Sequence, residues 1–163
     1  MDSVDLEVLR SATSWFKAGH AVILATVVKT WGSAPRPLGA MLAIRDDGHV
    51  SGSVSGGCVE DDLIERVHSH KLAGDKPEVA TYGVTKEQAD RFHLPCGGTL
   101  QLVLEPVKDG AGLDELLGAI ERHELVARFL DLETGKSRIE PGRWSDALEF
   151  DGKVLKTVHG PRW

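Results

Sequence analysis

Eight consecutive positions, Ala21 to Val28, carry no charge and a single hydroxyl, Thr26, and the rest are Val, Ile, Leu and Ala. An unbroken apolar run rich in β-branched side chains, with no alternating polar positions, suits a strand covered on both faces. Such a strand is central, and every other element has to be arranged above, below or beside it. The run is also far shorter than the roughly 20 apolar residues that span a bilayer, so no membrane span is expected. A chain of 163 residues can bury one core of this kind, and a single globular domain is the expectation.

The remaining periodicities supply the partners of that strand. Val8, Leu9, Ala12, Trp15 and Phe16 mark an amphipathic helix over about residues 4 to 18, stopped by Gly19. Residues 30 to 38, TWGSAPRPL, hold two prolines, which cannot donate to a ladder, and read as a stiff loop. Residues 40–45 and 49–54 flank Asp46-Asp47-Gly48, a strong hairpin signal. After Ser55-Gly56-Gly57 the period changes to that of a helix, carried by Val59, Leu63, Ile64 and Val67. Strands are expected near 79–82, 99–104, 125–132, 136–140, 147–150 and 153–158, a helix on Leu113, Leu116, Leu117 and Ile120, and a short helix or turn over 86–92. Together these elements make an α+β fold, a mixed β-sheet flanked by helices, with a strand, glycine turn and helix in succession at the candidate site.

Charge and cysteine usage narrow the partners. The net charge is −6 and no basic run is present to neutralise successive phosphates, so nucleic acid is not an expected partner. The start of the chain is acidic and lacks the pattern of a secretory signal, which makes a cytoplasmic location the expectation. Cys58 and Cys96 are too few and too far apart for a disulfide framework or paired zinc half-sites. They are expected to act, if at all, as thiols.

Glycine, reactive and polar groups concentrate in residues 30–40, 52–64 and 92–106, each next to a strand end, and three loops held by one sheet would form one pocket. In the second stretch Cys58 stands at a helix start, where unpaired amides and the positive dipole end favour an anion or a thiolate. The alternative is that Gly56 and Gly57 only make a tight turn and Cys58 packs as a small apolar residue. Cys96, in Pro95-Cys96-Gly97-Gly98, would bring a second soft ligand, and His93 a third, although this spacing is not a standard zinc pattern and no metal ligand set is assigned. Ser33 and Arg36 can hold an anionic group in the first loop, the guanidinium forking onto phosphate or carboxylate, or Arg36 is a surface arginine in a rigid turn. Trp31 is expected to plug the core, and Glu60-Asp61-Asp62 to form a solvated helix start that complements the helix dipole. GSVSG at 52–56 has Val54 where a nucleophile elbow needs serine, and neither a phosphate-binding GxxxxGK[ST] nor a GxGxxG after a strand occurs.

Three stretches, GSAPRPLGAMLAI at 32–44, GHVSGSVSGGCVE at 48–60 and LPCGGTLQLVLEP at 94–106, resemble the signatures of the XdhC/CoxI family. The resemblance covers about residues 20 to 106 and implies one domain of this type over 1–163, with a C-terminal subregion at 112–163. It implies an accessory protein, not an enzyme, which carries molybdenum cofactor (molybdopterin) on Ser33, Arg36, Ser55, Gly56, Gly57, Cys58, Cys96, Gly97 and Gly98. It further implies help with cofactor sulfuration beside a cysteine desulfurase, delivery to an apo-molybdoenzyme of the xanthine or CO dehydrogenase class, and self-association into a homodimer. Members usually continue into a Rossmann-like domain; the expectation is that this chain is without it, either as a one-domain member or as a shortened form. Two readings compete with the family's role: a thiol-dependent enzyme with Cys58 as nucleophile, and a docking module without a ligand.

Overall fold

The computed structural model describes residues 3–31, 36–55, 58–69, 75–83, 87, 99–108 and 112–160. Nine strands and three helices lie among them. The order is α1 (Ser3–Lys17), β1 (Val22–Trp31), β2 (Met41–Arg45), β3 (Val50–Gly52), α2 (Cys58–His68), β4 (Glu78–Tyr82), β5 (Thr99–Pro106), α3 (Leu113–Glu121), β6 (Val126–Asp131), β7 (Ser137–Pro141), β8 (Glu149–Phe150) and β9 (Val154–His159). The α+β class is the one expected. The strands are divided between two sheets, ordered β3-β2-β1-β5-β4 and β7-β6-β9-β8, and every described ladder is antiparallel.

β1 occupies the centre of the first sheet, and its side chains from Val22 to Val28 are all buried. Alternation along the strand separates them into two sets. Ile23, Ala25 and Val27 join Leu42 and Ile44 of β2, Leu100, Leu102 and Leu104 of β5, and Val59 and Leu63 of α2. Val22 and Leu24 face the other way, against Val8, Leu9 and Ala12 of α1 and Leu113, Leu116 and Ile120 of α3. α2 therefore covers one face of the sheet, and α1 and α3 cover part of the other. Sheet two covers the rest, where Val28 and Val103 meet Leu130 and Leu155.

β1 runs through Trp31, into the stretch from residue 30 that was expected to be loop, because it continues to pair with β5 past the start of β2. A register shift between Val27 and Lys29 marks the departure from β2, as an extra residue in one strand does where pairing is re-aimed. Trp31 is 42% exposed, with the Lys29 Nζ 4.6 Å from its ring centroid, so it does not plug the core. At the end of β3, Gly52 has φ +91°, and a Cβ there would overlap both Val8 Cγ2 and the Met41 carbonyl oxygen. Only glycine lets the chain cross α1 this closely.

A polar group is enclosed between the two sheets. Register places Val126 opposite His159, Arg128 opposite Thr157 and Leu130 opposite Leu155 on the inner face of sheet two. Across the gap, Glu105 of β5 takes Arg128 in a two-pronged pair, Nη1 to Oε1 at 2.8 Å and Nη2 to Oε2 at 2.5 Å, with side chains only 5% and 6% exposed. The Thr157 hydroxyl lies 2.8 Å from His159 Nε2. Removing one partner of such a pair strands a buried charge, whereas replacing both with apolar groups can be neutral. Glu105→Gln is expected to lower unfolding stability by about 3–5 kcal/mol, and Glu105→Leu with Arg128→Met to recover most of it, as read from urea midpoints. Equal stability of the single variant and the wild type would contradict this account of how the sheets are joined.

Candidate functional site

The three glycine-bearing stretches all leave the first sheet at one end. β1 ends there at Trp31, paired with Thr99 at the start of β5; β4 ends there at Tyr82, paired with Leu100; and β2 begins there at Met41, one register step from the end of β3 at Gly52. Antiparallel pairing imposes this, since neighbouring strands begin where their partners finish. Ser33, Gly56, Gly57, His93, Cys96, Gly97, Gly98 and residues 88–92 lie outside the described residues, as does the side chain of Cys58. The backbone of Cys58 is the first turn of α2, as the change of periodicity implied.

The first loop returns to the sheet through a tight turn at Pro37 to Ala40. The Ala40 amide donates to the Pro37 carbonyl at 3.1 Å and Gly39 has φ +87°, the geometry of a type II turn with glycine at its third position. The turn is pinned to β1 next to its irregularity by Gly39 N–H to the Val27 carbonyl, 2.8 Å, and Val27 N–H to the Ala40 carbonyl, 2.9 Å. Arg36 stands just before the turn and is not the surface arginine of the plainer sequence reading. Its Nε donates to the Ser53 carbonyl at 3.3 Å, and its Nη2 lies 3.9 Å from Asp5 Oδ1, with the two side chains 26% and 16% exposed. The structure thus brings the first and second stretches together through Arg36 and Ser53.

The start of α2 is held from both sides. Glu60 accepts from the Ser55 amide at 3.0 Å and from the Ser55 hydroxyl, a carboxylate reaching back from the first helical turn in the manner of a capping box. One turn on, Asp62 accepts from the Tyr82 hydroxyl at 2.7 Å, and Arg66 donates to that same oxygen at 3.3 Å and to Glu78 at 3.4 Å. Burial, and then the Asp62 carboxylate, push the Tyr82 phenol up to about 12, so it remains a donor. Glu60 and Asp62 are therefore bound to particular partners, which corrects the expectation of a merely solvated helix start. Sequence reasoning overlooked Tyr82, and the available signal was a tyrosine closing an apolar strand.

Beside Arg36 opens a cleft of about 390 Å³, lined by the 36–41 segment, Asp5, Ala147 and Leu148, and the end of β9. Thr157 and His159 form its inner wall, and both are buried. Burial, helped by the Arg128 charge, lowers the His159 imidazole from 6.5 to about 3, so the wall is polar but uncharged. Asp5 and this cleft were also missed in the sequence, because the residues that form it come from both ends of the chain. Among the described residues no group of three or more His, Cys, Asp or Glu side chains is placed to hold a metal, and no helix is long and apolar enough to cross a membrane.

Comparison with known proteins places these features. The model of the XdhC and CoxI family matches residues 15–83. The chain is 34% identical over 124 residues to the molybdenum cofactor insertion chaperone PaoD of Escherichia coli K12, covering 76% of this chain and 38% of that protein. It is 44% identical over 45 residues to a protein of Bacillus subtilis 168 described as a probable subunit of xanthine dehydrogenase, covering 28% of this chain and 14% of that one. A xanthine dehydrogenase crystal structure from Bacillus halodurans shares the fold at a TM-score of 0.68 and 20% identity, covering 96% of this chain and 53% of the other. The chain thus spans well under two thirds of the relatives it matches.

The buried histidine gives the site a pH signature. The unfolded chain takes up a proton as pH falls through about 6.5, while folded His159 stays neutral until about 3, so stability is lost as pH falls between these values. The expected loss from this residue is about 1.4 kcal/mol per pH unit at most. Against His159→Gln, which cannot take up that proton, the stability advantage of the wild type should shrink from pH 6 to pH 4 in urea titrations. A difference that stays constant over that range would contradict the assignment.

Proposed function

We propose that this chain, whose residues 15–83 match the model of the XdhC and CoxI family, is a non-catalytic carrier of molybdenum cofactor, holding it where the three glycine stretches leave the first sheet. The observation that carries the reading is the coincidence of the family match with the strand-to-helix segment in which α2 begins at Cys58. The 34% identity to a protein named as a molybdenum cofactor insertion chaperone supports it.

Molybdopterin is a cargo with two chemical handles, a phosphate and a dithiolene. The first amides of α2 and its positive dipole end suit the phosphate, and Arg36 adds a guanidinium at the same end of the sheet. Cys58 and Cys96 offer soft sulfur ligands for the metal end. In this proposal Ser33, Gly56, Gly57, Gly97 and Gly98 provide close backbone approach and hydroxyl contacts, and Ser55 joins them once it is released from Glu60. Glu60 sets a negative charge where the phosphate would arrive, so loading involves an exchange of one anion for another at the Ser55 amide.

Finer parts of the proposal follow from the family. The client is an apo-molybdoenzyme of the xanthine or CO dehydrogenase class, a cysteine desulfurase takes part in sulfuration, and the carrier acts in the cytoplasm as a homodimer. The two-sheet unit over residues 1–163 acts as one domain in this role.

Anaerobic equilibrium binding of molybdenum cofactor to the chain tests the reading. Arg36→Ala, Cys58→Ala and Cys96→Ala should each weaken retention at least tenfold, and Glu60→Gln, which removes the competing charge, should strengthen it. Binding by the wild type that none of the four substitutions alters would overturn the placement, and absence of binding would overturn the carrier role for this chain.

A further inference from the structure

We infer that β4, at the outer edge of sheet one, pairs with the β4 of a second copy of this chain across a two-fold axis at Ala80. The inference rests on the self-association within the carrier reading and adds its surface, its register and its symmetry.

An edge strand offers amides and carbonyls to any strand that reaches it, and proteins blunt such edges with short strands, charged side chains, proline or a bulge. The two sheets have four edges, β3, β4, β7 and β8. β3 is three residues long, β8 is two, and β7 carries Arg138, Glu140 and Pro141. β4 has five residues, Glu78-Val79-Ala80-Thr81-Tyr82, with no proline, glycine or lysine among them. Val79 and Thr81 are both exposed and uncharged. Among the described residues the ladder with β5 is the only one that β4 makes.

A second copy is the occupant that this strand fits. A two-fold axis at Ala80 makes the two β4 strands antiparallel and sets each position against its symmetry mate, as a closed dimer requires. Val79 then lies opposite the partner's Thr81, a β-branched pair made twice, on the face that Val103 turns towards sheet two. On the other face Glu78 lies opposite the partner's Tyr82. Within one copy Arg66 donates to the Tyr82 hydroxyl at 3.3 Å and to Glu78 at 3.4 Å, and the Arg66 and Glu78 side chains are only half-buried. The axis therefore brings the partner's Arg66 to each Glu78 as well, so the charges along the strand are self-complementary. A parallel approach sets Glu78 against the partner's Glu78 instead, carboxylate against carboxylate.

The pairing also fixes where two cargoes would lie. The glycine stretches leave sheet one at the Tyr82 end of β4, and the axis points the two such ends in opposite directions along the joined sheet. Each copy keeps a whole site and loads without the other.

The experiment is sedimentation equilibrium of the full chain over a concentration series. Five paired residues make a short contact, so the wild type should form a dimer that dissociates on dilution. Val79→Lys with Thr81→Lys sets lysine against lysine twice across the axis and should leave a monomer. Val79→Lys with Thr81→Glu sets lysine against glutamate in the same register, and should dimerise at least about tenfold more tightly than the double lysine variant. Both positions are exposed and both are changed in each variant, so the comparison isolates charge across the axis. A wild type that stays monomeric throughout overturns the pairing and the self-association together. A dimer that the two lysines do not weaken, or that lysine with glutamate weakens equally, overturns this surface and leaves self-association in place. Mass is the readout, so either failure is distinct from failure of the carrier role, which cofactor binding decides.

Discussion

β1 has α2 on one face and α1, α3 and a second sheet on the other, so that every side chain from Val22 to Val28 is buried. This two-sided burial determines where everything else lies. Because β2 and β5 both run antiparallel to β1, the connections before β2 and before β5 emerge together, where β1 ends. Pairing of β1 with β2 ends at Thr26 and Met41, and beyond it the 37–40 turn bonds to Val27, next to the register shift in the β1–β5 ladder, while Arg36 reaches Ser53. A rigid sheet with its variable chemistry gathered at one edge is the usual way for loops to be positioned for binding.

The second consequence of covering β1 on both faces is the polar group between the sheets. Glu105 lies beside Leu24 of β1 and Arg128 comes from β6, so their pairing sets sheet two on sheet one in one position. A buried ion pair is weak evidence for stability, but a broken one is strongly penalised, which makes it a discriminator between correct and shifted packings. Thr157 and His159 continue the same inner face out to the cleft. Packing of the two sheets and shape of the cleft are therefore linked through β9.

Most elements were legible in the sequence because each has a clear period. Val8, Leu9, Ala12, Trp15 and Phe16 marked α1, Asp46-Asp47-Gly48 marked the first hairpin, and the shift to Val59, Leu63, Ile64 and Val67 marked α2. What was not legible is long-range. Glu105 sits out of phase with Leu100, Leu102 and Leu104, which reads as a solvent face; it is buried because sheet two lies over it, and nothing local announces that. Trp31 looked like a core residue by type, yet it lies at the strand end where the sheet narrows to two strands beside it. Of the candidate site, the helix start at Cys58 could be read locally, whereas the Asp5–Arg36 juxtaposition joins α1 to the first loop and could not.

We propose that cargo sits where β1 ends, against the start of α2, and not elsewhere on the two-sheet body. Hydrogen–deuterium exchange of the full chain with and without molybdenum cofactor, under anaerobic conditions, locates it without any substitution. Exchange should slow in peptides covering residues 32–41 and 53–62, with β7 and β8 unchanged. Protection confined to sheet two, or to α3 and its flanks, would contradict it.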